Sequence, residues 1–108
     1  MLSQIKIPIW PSGDSKPIFD LTISKVEIEK RFCIVFEALE DDLGPFWAAA
    51  VNIDDFGSLV FWKYEAGPNQ SCAVHVDMGK NTDDAIKFLI KKLGILETEI
   101  GWRRPSNL

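Results

Sequence analysis

Between Gly44-Pro45 and Asp54-Asp55 lie eight residues, Phe46 to Ile53, of which only Asn52 is polar. The run is too short for a typical buried helix and is bounded by turn-forming residues, so it reads as a strand covered on both faces. Trp47, Val51 and Ile53 share one side, and Phe46 and two alanines share the other. A strand buried on two faces must be central, and the rest of the chain has to supply partners on either side of it.

Those partners are legible as further short segments. Ile5, Ile7 and Ile9 alternate with Lys6 and Pro8, which predicts a first strand. Pro8 has no amide hydrogen, so that strand is expected at an edge. Trp10-Pro11-Ser12-Gly13-Asp14 reads as a turn. From Ile18 to Ile28 an alternating pattern changes phase between Ile23 and Val26, which predicts a long strand with a bulge near Ser24-Lys25. Glu29-Lys30 then begins a hairpin turn into a strand from Phe32 to Leu39. Glu40-Asp41-Asp42-Leu43-Gly44-Pro45 reads as an acidic loop. Asp54-Asp55-Phe56-Gly57 turns the chain into the aromatic strand Leu59 to Glu65. Ala66-Gly67-Pro68-Asn69 is the next turn, and Cys72 to Asp77 the last strong strand.

One helix is clearly marked. Asn81 or Thr82 can cap it by accepting from free first-turn amides. Asp83 and Asp84 sit at the positive end of its dipole. Ile86, Leu89, Ile90 and Leu93 form one apolar stripe, and Gly94 supplies the left-handed stop. The tail from Ile95 to Leu108 is expected to be a short strand or surface loop. Short turns between strands favour antiparallel pairing. The fold class expected is therefore α+β, a two-layer sandwich whose mainly antiparallel sheet has five to six strands and carries one C-terminal amphipathic helix. At 108 residues the chain fits a single domain, 1–108.

Composition narrows the function. Lys plus Arg number 12 against 16 Asp plus Glu, a formal charge of −4. That sign disfavours nucleic acid, whose binding depends on Lys and Arg meeting phosphates, and suits encounter with a cationic partner. No apolar run approaches the ~20 residues of a membrane span, and the first residues lack a signal-peptide core. Cys33 and Cys72, both in apolar strand-like runs, are read as buried free thiols. A cytoplasmic address follows.

Catalytic and metal chemistry find little support. His75 and Asp77, two apart, share one side of a strand, a pair able to orient an imidazole for base work. Ser71 and Cys72 are near in sequence, but two residues do not make a catalytic constellation. His75, Asp77, Asp54 and Asp55 lack zinc-type spacing, and Glu40-Asp41-Asp42-Leu43-Gly44 lacks the alternation of a calcium loop. Glu37, Glu40, Asp41, Asp42, Asp54 and Asp55 are numerous enough to suggest paired carboxylates, although acidic loops are commonly just solvated. No cofactor is expected.

Four tryptophans are a heavy load for this length. Trp47 and Trp62 fall in central strands and read as core. Trp10 and Trp102 flank loop-like segments and read as possible interface anchors, a role that suits Trp beside carboxylates. The succession of strands, acidic turn, aromatic strand and acid-capped helix resembles that of many small bacterial antitoxins and immunity proteins, a likeness of class. It implies an inhibitor of a basic protein such as a toxic nuclease. The binding residues expected are Glu40, Asp41, Asp42, Asp54 and Asp55, with Trp10 or Trp102 as anchor, on a monomer or weak homodimer. The alternative is a small ligand-binding or enzymatic domain with a pocket near His75 and Asp77.

Overall fold

The computed structural model describes residues 2–65 and 71–106. It is an α+β fold with a seven-stranded, wholly antiparallel sheet and two helices. The strands are β1 (Leu2–Ile5), β2 (Ser15–Leu21), β3 (Glu37–Asp41), β4 (Gly44–Ile53), β5 (Gly57–Tyr64), β6 (Cys72–Asp77) and β7 (Ile100–Arg103). The helices are α1 (Lys25–Phe32) and α2 (Thr82–Leu93). Sheet order is β1-β4-β5-β6-β2-β7, and β3 also pairs with β4.

The apolar run from Phe46 to Ile53 is a central strand, as its composition requires. Ala49, Val51 and Ile53 face a large core that includes Phe61, Val74, Val76, Ile28 and Leu89, so both helices lie on that face. Phe46, Ala48 and Ala50 face a smaller cluster with Val60 on the opposite side. Asn81 caps α2, its Oδ1 accepting from the Asp84 amide at 3.0 Å, and Gly94 ends the helix at φ 65°.

The segment from Ile18 to Ile28 is not one bulged strand. It is β2, a short link and a helix. Ser24 Oγ accepts from the Glu27 amide at 3.1 Å, a helix N-cap, and the apparent change of strand phase is where α1 begins. Val26 and Ile28 imitate strand alternation, but Ile28 is buried while Val26 is exposed. No hairpin forms at Glu29-Lys30. The helix runs to Phe32 and stops at Cys33, which adopts φ 56°. Cys33 is exposed at this cap, not buried in a strand, whereas Cys72 is buried. Replacing Ser24 by alanine is expected to cost about 1 kcal/mol of stability, read as a lower urea midpoint at unchanged slope. An unchanged midpoint would show that the cap contributes nothing.

Other boundaries shift too. The first strand is Leu2–Ile5 rather than Ile5 to Ile9, and the strand expected from Phe32 begins only at Glu37. The acidic loop is mostly strand, because β3 runs to Asp41 and β4 starts at Gly44, leaving a two-residue turn. The sheet therefore has seven strands rather than five to six, and there are two helices rather than one. The second helix is not C-terminal, being followed by a 3-10 turn (Glu97–Glu99) and β7. The turn expected at Ala66-Gly67-Pro68-Asn69 lies outside the described residues.

One side of β4 is fully occupied by β5. The other is shared end to end: β3 pairs with residues 44–48 and β1 with residues 50–53. Gln4 joins the two pieces, its side-chain amide donating to Val35 O at 2.6 Å and accepting from Val35 N at 2.9 Å. Because β3 holds the rest of that edge, the chain after Ile5 must leave it. Ile5, Ile7 and Trp10 then pack over the smaller cluster on the face without helices.

Candidate protein-interaction site

The seven residues expected at an interface do not form one surface. Glu40, Asp41 and Asp42 lie on the β3–β4 hairpin, Asp54 and Asp55 on the β4–β5 turn. Ten residues of β4 separate the two turns, roughly 30 Å at strand spacing. Trp10 is half-buried against the Phe46 cluster. Trp102 is 41% exposed on β7, opposite Asp20 and beyond the other side of the sheet. Burial raises the carboxyl pKa of Asp20 above the usual value.

The Asp54–Asp55 turn has a local explanation. Asp55 adopts φ 70° and Gly57 φ 110°, and the Phe56 amide donates to Ile53 O at 3.1 Å. Asp tolerates the left-handed region better than most residues. Lys80 caps this end, donating to Phe56 O and resting 4.4 Å from the Phe56 ring.

The β3–β4 hairpin is different in kind. Asp41 fixes its tip, Oδ1 accepting from the Leu43 amide at 2.8 Å and Oδ2 from the Tyr64 hydroxyl at 2.7 Å. Burial first, and then this bond, raises the Tyr64 pKa. Phe46 stacks on Trp62 at 4.2 Å between centroids and stiffens the base of the hairpin. With its backbone held so firmly, the turn still leaves Leu43 79% exposed. Glu40, Asp41 and Asp42 surround this apolar tip and Glu37 stands at the far end of β3, opposite Ala48, all four exposed. Among the described residues Glu37, Glu40 and Asp42 make no ion pair and accept no side-chain hydrogen bond. Leu43 was hidden in the sequence by its place in an apparent loop. The available signal was an apolar residue in a two-residue turn directly after two aspartates.

His75 and Asp77 do lie on the same side of β6, but each is occupied separately. His75 Nδ1 is 3.3 Å from Ser15 Oγ, and its ring lies 5.3 Å from that of Trp62. Burial lowers its pKa to about 4, against a small opposing pull from Asp14. Asp77 Oδ1 accepts from the Ser12 hydroxyl at 2.6 Å and the Ser12 amide at 3.1 Å, and Oδ2 from the Gly79 amide at 3.2 Å. These bonds, led by the Ser12 hydroxyl, lower its pKa. Asp77 thus anchors the turn ahead of β2 rather than orienting the imidazole. Burial pushes the Cys72 thiol up to about 12, so it stays protonated and a poor nucleophile.

A cleft of about 460 Å³ opens between the C-terminal ends of α1 and α2, lined by Leu2, Arg31, Phe32, Cys33 and Lys92 among others, with neither His75 nor Asp77 on its walls. Arg31 on its rim is held by a bidentate pair with Glu99, both contacts at 2.8 Å. Among the described residues no three His, Cys, Asp or Glu side chains gather in a metal-binding group, and no helix is long and apolar enough to cross a membrane. Comparison with protein-family models, with curated proteins and with solved structures finds no match.

Proposed function

We propose that this protein is a protein-binding inhibitor, most concretely a bacterial immunity protein that neutralises a basic toxin such as a nuclease in the cytoplasm. The observation that carries the reading is the β3–β4 hairpin, a pinned tip with Leu43 exposed and carboxylates around it. A desolvated apolar anchor within a charged rim is how protein interfaces combine affinity with orientation. A nuclease groove that grips phosphate offers the complementary charge, and attraction between the two speeds encounter. Asp54, Asp55 and Trp102 stand apart from this site, whereas Trp10 packs on the Phe46 cluster at the base of the hairpin.

The test uses a basic partner recovered with tagged protein from its native lysate, including the products of adjacent genes. Reversing Glu37, Glu40 and Asp42 to Lys, with Asp41 left intact to hold the turn, is expected to weaken its affinity roughly a hundredfold, mainly through slower and less salt-sensitive association. Asp54→Lys with Asp55→Lys should change it little. Equal loss in both variants, or in neither, would remove the hairpin from the interface.

A further inference from the structure

The outer side of β3 is an unfinished sheet. Among the described residues β3 pairs with β4 alone. Asp41 and Gly44 flank the two-residue turn, so they form a hydrogen-bonded pair, and pairs alternate from there. Leu39 and Glu37 therefore also direct their backbone groups to β4, whereas Ala38 and Glu40 direct theirs away from it. Pro45 fits this phase. Opposite Glu40 it loses no bond to β3 by lacking an amide hydrogen, and its carbonyl accepts from the Glu65 amide on the β5 side at 3.1 Å. The open edge thus presents the N–H and C=O of Ala38 and Glu40. Its ends are marked by two exposed apolar side chains, Val35 at 71% and Leu43 at 79%.

We propose that β3 takes up an extended, cationic segment of the partner as an added antiparallel or parallel strand, bonded to the backbone of Ala38 and Glu40. This rests on the inhibitor reading and specifies its mode of contact. Backbone pairing supplies affinity and side chains supply selection in such strand addition. Glu37 and Asp41 point to one face of the sheet and Glu40 to the other, so the cationic residues of an alternating segment, which share one face, meet carboxylates whichever face they take. A second copy of this chain would bring the same carboxylates opposite one another, which is unfavourable.

The probe is a ten-residue peptide alternating lysine and valine, titrated at low salt into isotopically labelled full-length protein. The expected result is binding that protects the amides of Ala38 and Glu40 from hydrogen exchange. Ala38→Pro should weaken it at least tenfold, because proline removes an outward donor and obstructs the incoming strand while sparing the bonds to β4. Glu40→Pro serves as an independent second variant should the first fail to fold. No peptide binding, or binding without protection of these two amides, overturns strand addition. If both proline variants bind like wild type while reversal of Glu37, Glu40 and Asp42 abolishes binding, side-chain docking stands and strand addition falls. If reversal also has no effect, the inhibitor reading loses its hairpin as well. A dimer that forms without peptide and is lost in Ala38→Pro would assign the edge to a second copy and likewise overturn the proposal.

Discussion

Replacing Phe61 by alanine lowers the free energy of unfolding by about 3–5 kcal/mol, the range for truncating a fully buried phenylalanine. Phe61 has no exposed surface and sits in the middle of β5. Phe32 from the end of α1 stacks on it at 5.5 Å, and Phe36, one residue ahead of β3, meets it edge-on at 6.4 Å. One ring thus ties the short helix and the approach to the acidic hairpin to the sheet. A domain of this kind has only about 5–15 kcal/mol in total, so the loss is a large share of it. Urea unfolding measures the effect, with Val26→Ala on the exposed side of α1 as a control expected within about 0.5 kcal/mol of wild type. Equal midpoints for the two variants would contradict this core.

His75 makes the protein acid-sensitive in a window where most side chains do not titrate. Its pKa is about 4 folded against 6.5 for the free side chain. Between those values the unfolded chain binds the proton and the folded one does not, so stability falls as pH drops from 6.5 towards 4. The size of the shift gives about 2 kcal/mol of loss by pH 5. Glu99 behaves with the same sign lower down: the Arg31 guanidinium holds its pKa at about 2, so its contribution fades as pH falls from 4.5 through 2. His75→Gln should therefore flatten the stability profile between pH 7 and 5 and leave the more acidic limb in place. A variant profile parallel to wild type across that range would show that His75 is not buried neutral.

How far the sequence revealed these features depended on whether a segment's geometry was set locally. The second helix was legible because Asn81, Gly94 and the stripe from Ile86 to Leu93 are local signals, and all three act as expected. The two faces of β4 were legible because alternation is local as well. The first helix was misread although Ser24 and Glu27 carried a capping pattern, because eight residues with Val26 and Ile28 two apart look equally like a strand. The first strand was misplaced for a tertiary reason. Ile5, Ile7 and Ile9 alternate, but β3 occupies the edge they would have extended along, and Ile9 ends up 97% exposed. The charge of the hairpin could be read from Glu40-Asp41-Asp42. Its open edge could not, since that depends on which strands lie beside β4.

Strand order also sets when the molecule becomes competent during its own synthesis. β2 lies between β6 and β7, so Lys16 waits for Val76 and Asp20 for Trp102. Sixty residues separate the first of these pairs, about 3–12 s of elongation at 5–20 residues per second. The N-terminal part of the sheet cannot be completed on the ribosome until nearly the whole described chain has emerged. Any binding that needs the finished sheet therefore lags synthesis, and under the inhibitor proposal a cell would depend on a standing reserve of finished molecules rather than on a burst of new ones.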